Sequence, residues 1–399
     1  MLTPAQTALI KATVPLLESG GEALTRHFYQ MMLTEYPEVR ALFNQAHQAS
    51  GGQQRALANA VLMYARHIDR LEALGPLVGQ IVNKHVSLQI LPEHYPIVGR
   101  CLLRAIREVL GEEIATDAVL EAWAVAYGQL ADILIGAEEA AYSANADAEG
   151  GWRGARSFRL SRKVRESEEI VSLYLVPADG GALVAFQAGQ YIGLRLLLDG
   201  GEQRRNYSLS ALSNGREYRI SVKREVGGKV SNYLHDQLQV GDSLELFAPA
   251  GNFVLRESAK PLVLITAGVG ITPALSMLEA ARDTGRDIHF IHCARHAGVH
   301  AFRDWVEAQC DERPQVRHYV CYSEPRDGDT GDAEGFLSLE QLAEWLPEQR
   351  DGCLLSRPQA VYGAGQTASA QPRRTGGAEP LRVLWSGQRA GPLITKPRR

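Results

Sequence analysis

Through the first 148 residues apolar side chains recur every three or four positions, as in Leu57, Val61, Leu62, Met63 and Ile68, or Leu102, Leu103, Ile106, Val109 and Leu110. That spacing lays an apolar stripe along one face of a helix. Breakers interrupt it at Gly20-Gly21, Tyr36-Pro37, Gly51-Gly52, Gly75-Pro76 and Leu91-Pro92, so residues 1–148 are predicted to form an all-α bundle. The chain begins with helix-start chemistry: Thr3 as N-cap, Pro4 in the first turn and Gln6 closing a capping box. Ser143–Gly151 is small and polar and reads as a linker. From Arg153 the period shortens. SFRLSRKV, IVSLYLVPA, QYIGLRLLL, REYRISVKRE and DSLELFAPAG alternate or run apolar over strand lengths between glycine-rich turns, which predicts an antiparallel β-barrel over 152–256. PLVLITAGVGITPALSMLEAARDTG then reads as buried strand, glycine turn and helix. The strands DIHFIHCAR and VRHYVCYS follow, with helices around Phe302–Gln309 and Ser338–Glu348. Strand and helix in alternation predict a parallel, doubly wound α/β domain over 260–351. Past Asp351 no helical or strand period is left, and 352–399 reads as a tail.

Composition sharpens this picture. With 45% apolar and 22% charged residues the chain is globular, and 399 residues exceed one ordinary core. A net charge of −4 gives no electrostatic reason for nucleic acid or an anionic membrane as partner. No apolar run approaches the roughly 18 residues of a transmembrane helix, and the first residues lack the pattern of a signal peptide. The five cysteines are odd in number, scattered and without a C-x-x-C pair. They point to a reducing, cytoplasmic setting and away from a disulfide framework or a cysteine metal site. The tail differs from the rest: it carries eight Arg or Lys against one Glu, leaving −11 for the first 351 residues. On composition it is a disordered basic extension.

Three strings carry candidate chemistry. In the helical segment, His85 within Asn83-Lys84-His85-Val86-Ser87 offers the neutral nitrogen that a haem iron needs, with Val82 and Val86 expected on its apolar face against the macrocycle. His27, His47, His67 and His94 read as surface or half-buried residues. In the barrel, Arg205-Asn206-Tyr207-Ser208, with Tyr191 upstream and Gly227-Gly228 downstream, supplies an arginine for a pyrophosphate, aromatics for a ring system and small residues for close approach, as a flavin requires. In the α/β segment, Gly268-Val269-Gly270-Ile271-Thr272-Pro273 follows a strand and opens a helix, which lets backbone N–H groups approach a nucleotide pyrophosphate. It lacks the third glycine of the G-x-G-x-x-G fingerprint.

The stretches LTRHFYQMML, PEVRALFNQAHQ, QRALANAVLMYA, VNKHVSLQILPEHYPIVG and EAWAVAYGQLADILI resemble the globin domain of bacterial flavohaemoglobins. The barrel and nucleotide strings are similar to those of the ferredoxin-reductase superfamily, which uses the form G-x-G-x-T-P for NAD(P)H. The resemblance implies a globin domain at 1–148, an FAD-binding barrel at 152–256 and an NAD(P)-binding domain at 260–351. It implies haem b held by His85 as proximal ligand, with Tyr95 and Glu138 in a network behind it. Tyr29 becomes the distal hydroxyl, Phe43 the ring wedging the haem, and Gln53 and Leu57 the distal lining. FAD would lie on Tyr191, Arg205, Asn206, Tyr207 and Ser208, and NAD(P)H on Gly268, Val269, Gly270, Ile271, Thr272 and Pro273. The implied activity is nitric oxide dioxygenation: nitric oxide and O2 become nitrate, with electrons passing from NAD(P)H through FAD to haem, in a cytoplasmic, monomeric protein that detoxifies nitric oxide. Two other readings stand beside it: a gas-binding globin with a vestigial reductase, and a plain NAD(P)H-dependent flavin or ferric reductase.

The tail departs from that family, which continues with a strand close to D-V-Y-F-L-G-P and ends near Y-E-F-F-G-P. Reading the codons of Gly352 to Tyr362 from their second base permits Asp-Val-Tyr-Phe-Leu-Gly-Pro-Lys-Pro-Phe-Met. Leu381 to Gly387 permits Tyr-Glu-Phe-Phe-Gly-Pro-Ala in the same frame. The genetic code is thus compatible with a one-nucleotide shift near Asp351, and 352–399 is expected to be out-of-frame text. The sheet of the nucleotide domain is then expected to lack a strand, leaving an unpaired edge and a weakened reductase.

Overall fold

The computed structural model describes residues 2–43, 52–346, 353–357 and 382–385. By contacts the chain divides into two compact units. The first comprises Met1–Arg156, Ile192–Asn206 and Glu245–Asn252; the second comprises Ser157–Tyr191, Tyr207–Leu244 and Phe253–Arg399.

The described helices of the first unit are α1 (Pro4–Ala12), α2 (Val14–Glu35), α3 (Gly52–Arg66), α4 (Gly75–Leu88), α5 (Tyr95–Leu110) and α6 (Asp117–Asp147). Thr3 caps α1 through the full capping box with Gln6. The breaks at Tyr36-Pro37, Gly75-Pro76 and Leu91-Pro92 fall at helix boundaries. Gly20-Gly21 does not break α2, which runs straight through it. Each glycine costs a helix about 1 kcal/mol, whereas burying Leu17, Leu24, Phe28 and Met32 along the same face stabilises by roughly 1.5–3 kcal/mol apiece. The Ser143–Gly151 linker is likewise shorter than expected. The alanine-rich end of α6 carries helix to Asp147, and the turn comes at Gly151, where a Cβ would sit 1.9 Å from the Asn145 carbonyl oxygen. An 18-residue window of α6 is apolar enough to cross a membrane by length and composition, with 33% of it buried. That helix packs Val119, Ala122, Trp123 and Ala126 into the main helical core, and Ala131, Leu134 and Tyr142 into a second cluster with Val82, Val86 and Tyr95. Val82 and Val86 therefore join the cluster around Tyr95, on the helix that carries His85.

The middle of the chain forms six strands: β1 (Arg156–Arg165), β2 (Ile170–Pro177), β3 (Tyr191–Leu198), β4 (Gly201–Ser208), β5 (Tyr218–Lys223) and β6 (Ser243–Leu246). In the second unit β2 pairs antiparallel with β1 on one side and β5 on the other. In the first unit Leu194 and Arg195 of β3 pair antiparallel with Leu246 and Glu245 of β6. A short helix that periodicity did not reveal, α7 (Lys229–Asp236), precedes β6.

The rest of the second unit is a parallel sheet in the order β10-β9-β8-β7-β11-β12. Its strands are β7 (Leu262–Ala267), β8 (Ile288–Ala294), β9 (Val316–Tyr322), β10 (Ala333–Glu334), β11 (Cys353–Arg357) and β12 (Arg382–Trp385), and its helices α8 (Ile271–Ala281), α9 (Arg303–Glu312) and α10 (Leu339–Trp345). Every residue of β7 is buried, as in a strand covered on both faces. The tail corrects the expectation of an unpaired edge. Cys353, Leu354 and Leu355 pair in parallel with Val263, Leu264 and Ile265, and β12 pairs with β11. A strand's backbone N–H and C=O groups bond regardless of side chain, so a five-residue strand suffices to cover the edge. The rest of the tail, and His47, lie outside the described residues.

Two elements of this unit bury histidines that sequence patterning passed over. His292 and His300 stack with ring centroids 4.4 Å apart, and His318 lies 5.8 Å from His300. His292 shares a 2.7 Å hydrogen bond with Thr266, and His300 a 2.9 Å bond with the Tyr322 hydroxyl. The Nε2 atoms of all three have no partner among the described residues, nor do these rings form a metal-holding group there. Burial lowers the pKa of His292 to about 3 and of His318 to about 4, the latter against the opposing pull of Glu307 and Asp332. Neutral in the fold, these rings protonate near pH 6.5 once unfolded, so their stabilisation is complete above that pH and is lost as the pH falls towards 4. The loss amounts to about 1.4 kcal/mol per histidine per pH unit. Calorimetry between pH 7.5 and 5 is expected to show the second unit's transition falling steeply below pH 6.5, with a shallower slope in His318→Gln. Equal slopes in the two proteins would remove His318 from the account.

Candidate functional site

Three helices bring the haem candidates together. His85 lies in the last turn of α4, Tyr95 opens α5, and Glu138 projects from the buried stripe of α6 that also carries Ala131, Leu134 and Tyr142. The Glu138 carboxylate is 2% exposed. Its Oε1 lies 2.7 Å from His85 Nδ1 and accepts a 2.7 Å hydrogen bond from the Tyr95 hydroxyl, which is itself 3.2 Å from Nδ1. Burial, then the Glu138 carboxylate, drive the Tyr95 pKa up, so the phenol keeps its proton and donates it. With Nδ1 engaged, Nε2 of the partly exposed His85 ring is the nitrogen that could hold a metal. A carboxylate on the far nitrogen is the arrangement that fixes the tautomer and strengthens a histidine ligand.

Two further tyrosines hold this triad, and sequence reasoning missed both. Tyr127 donates to the Tyr95 carbonyl oxygen and Tyr142 to the Ile90 carbonyl oxygen, each at 2.7 Å. Gly99 makes room for the first, since a Cβ there would lie 2.7 Å from the Tyr127 ring. The available signal was their spacing on α6: Tyr127, Ala131, Leu134, Glu138 and Tyr142 follow one helical face.

On the other side of the pocket expected from sequence, Tyr29 and Phe43 meet edge to face at 5.5 Å. Tyr29 is 8% exposed and burial pushes its pKa up, so the phenol stays protonated. A buried, protonated phenol suits a donor to a bound molecule. Leu57 packs half-buried against the helical core, and Gln53 is half-buried at the start of α3. These residues fit haem: one imidazole nitrogen backed by a carboxylate, an aromatic pair and a buried hydroxyl donor.

The flavin candidates Arg205, Asn206, Tyr207 and Ser208 are consecutive on β4, all half-buried. The Leu209 N–H donates to the Gln190 carbonyl oxygen at 2.9 Å, setting Tyr191 beside Tyr207 and Ser208. Asn206 donates to the Ser87 hydroxyl at 2.8 Å while its buried Oδ1 has no partner among the described residues. In the same unit, Asn83 Oδ1 accepts from the Gly251 N–H at 3.0 Å and Arg204 donates to the Leu88 carbonyl oxygen. The helix bearing His85 is thus tied to the strands bearing Asn206. A half-buried strand with an orphaned amide oxygen fits a planar polar cofactor such as FAD.

In the α/β unit, Gly268 takes φ +49 as the chain leaves β7, and Gly268–Gly270 form a 3-10 turn into α8. The side chains of Ile271, Thr272 and Pro273 are buried in the helix–sheet core, and the Thr272 hydroxyl donates to the Val269 carbonyl oxygen at 2.9 Å. The backbone of this turn, with the helix N-terminus behind it, is placed to meet a pyrophosphate.

The globin family profile matches residues 26–134, the oxidoreductase FAD-binding domain 157–255 and the oxidoreductase NAD-binding domain 264–368. Fold and site together define an NAD(P)H-dependent oxidoreductase that uses haem, FAD and a pyridine nucleotide. A flavohemoprotein of Pseudomonas aeruginosa is 73% identical over 351 residues, 88% of this chain and 89% of that one. One from Pseudomonas putida is 69% identical, over 88% and 90% of the two chains. The solved flavohemoglobin of Malassezia yamatoensis, with bound FAD and heme, superposes with a TM-score of 0.78 at 25% identity, covering 90% of this chain and 93% of its own. The chain belongs to the flavohemoprotein family.

Glu138→Ala leaves the Tyr95 hydroxyl and His85 Nδ1 without their acceptor, which costs about 1–3 kcal/mol at a buried site. The expected outcome is a lower melting temperature of the helical unit and faster haem loss. Glu138→Gln keeps an acceptor but removes the charge, so it is expected to spare stability and lower the iron–histidine stretching frequency. An unchanged frequency would show that the carboxylate does not tune the ligand.

Proposed function

We propose that this chain is a nitric oxide dioxygenase that detoxifies nitric oxide in the cytoplasm. Two molecules of nitric oxide and two of dioxygen, with the two electrons of one NAD(P)H, become two of nitrate. The observation that carries the reading is the buried Glu138 carboxylate on His85 Nδ1, because an electron-rich proximal ligand favours activating dioxygen over storing it. When bound, haem b supplies a redox iron for dioxygen, and FAD converts hydride transfer into single-electron delivery.

The chain's own residues do the rest. His85 holds the iron through Nε2, Tyr95 and Glu138 fix its ring, and Phe43 wedges the macrocycle. Tyr29 donates a hydrogen bond to the diatomic ligand, with Gln53 and Leu57 lining that side. Arg205 meets the flavin pyrophosphate, Tyr191 and Tyr207 its rings, and Asn206 and Ser208 its polar edge. The Gly268–Gly270 backbone receives the nicotinamide nucleotide. Cys101, Cys293, Cys310 and Cys321 are free thiols, in keeping with a reducing compartment. His85→Ala is expected to abolish nitric oxide consumption while sparing NADH-driven reduction of free flavin or ferricyanide. Retained nitric oxide consumption would refute the assignment.

We also propose that the text after Asp351 is out of frame and weakens the reductase. The two recovered motifs support this. Codons for Gly352 to Tyr362 incompatible with the second-base reading would refute it. The tail favours one second reading: a gas-binding globin whose reductase is vestigial. Anaerobic NADH added to protein loaded with haem and FAD distinguishes them. Prompt haem reduction supports the dioxygenase. Reduction by dithionite but not by NADH supports the gas-binding globin.

A further inference from the structure

Cys293 and Cys321 are direct partners across β8 and β9. Neighbouring strands lie about 4.8 Å apart, inside the 4.4–6.8 Å range of Cα separations that a disulfide spans, and paired residues of a parallel ladder present their side chains on the same face. Each thiol acts on the other, raising the pKa of Cys293 and lowering that of Cys321. The Cys321 thiol reaches the Gly335 carbonyl oxygen at 3.2 Å. Cys321 is fully buried and Cys293 half-buried against the cluster of Val263, Ile265 and Trp345, so a small solute's approach is from the Cys293 side. Cys101 is buried in the helical core and Cys310 lies on α9. The row continues to Ala267 of β7, the residue before the Gly268 turn, at the carboxyl end of the sheet.

We propose that Cys293 and Cys321 are a reversible dithiol–disulfide site, oxidised by a hydroperoxide. One of the two sulfurs attacks the peroxide: the O–O bond breaks, that sulfur takes one oxygen as a sulfenic acid, and the other oxygen leaves as an alcohol with the thiol proton. The second sulfur then attacks the first. An S–S bond forms, the S–O bond breaks, and the hydroxyl leaves as water with the second thiol's proton. Two thiols are oxidised and one hydroperoxide is reduced to alcohol and water. A resolving thiol on the facing position of the next strand is the arrangement that stops oxidation at the reversible level.

The experiment treats the reduced, haem- and FAD-loaded full chain with a stoichiometric amount of tert-butyl hydroperoxide. The protein is then unfolded in an excess of a maleimide and mapped by peptide mass spectrometry. The expected result is a fall from five alkylated cysteines to three, a peptide cross-linked between Cys293 and Cys321, and full recovery with dithiothreitol. Cys310→Ser is expected to give the same cross-link, and Cys293→Ser and Cys321→Ser to lose it. Because the cross-link is read in the unmodified chain, poor folding of either variant leaves the test intact. Five alkylated cysteines, a sulfinic acid at Cys293 or Cys321 without cross-link, or a cross-link to another cysteine would overturn the proposal.

Discussion

A carboxylate buried to 2% exposure is tolerable only if its oxygens are satisfied, and the geometry of the helical unit follows from satisfying Glu138. Removing such a group from water without partners costs several kcal/mol. Here the partners are His85 Nδ1 and the Tyr95 hydroxyl, each 2.7 Å from the same oxygen. The three residues stand on α4, α5 and α6, so one buried charge fixes three helices and aims one imidazole. Tyr127 and Tyr142 add rigidity by bonding the backbone on either side. A ligand held this way keeps one tautomer, and its free nitrogen is the one that could hold a metal.

The turn of α4 that carries His85 has a second constraint. Asn83 and Leu88 accept hydrogen bonds from Gly251 and Arg204, and Ser87 accepts one from Asn206. A Cβ on Gly193 would sit 2.2 Å from the Ser87 carbonyl oxygen, so glycine is required for that approach. These contacts join the helix of His85 to the strand of Asn206 within one compact unit. A carboxyl-terminal turn tied through both its imidazole and its neighbouring side chains and carbonyl groups has little freedom to drift.

The parallel sheet obeys a more general rule. Its strands β7, β8 and β9 pair residue for residue over six or more positions, and their interior is filled by β-branched and aromatic side chains. Its edge is completed by whichever backbone is available. That is why text with no strand pattern of its own supplies β11 and β12.

The amino-acid sequence by itself determined the class changes along the chain: helical spacing to residue 148, strand alternation after it, then alternating strand and helix. The period of apolar side chains is a local property, as are the capping box at Thr3 and the glycine turn at Gly268. The resemblance named the triad of His85, Tyr95 and Glu138, but spacing could not, since Glu138 lies beside Glu139 and only burial separates them. Tertiary structure alone decided that Gly20-Gly21 continues a helix, that Val82 and Val86 join the cluster around Tyr95, and that Ile271, Thr272 and Pro273 pack inward. It also decided that His292, His300 and His318 cluster, and that Cys293 pairs with Cys321. In each case the deciding energy comes from neighbours distant in the chain, and a local pattern carries no record of which residues those will be.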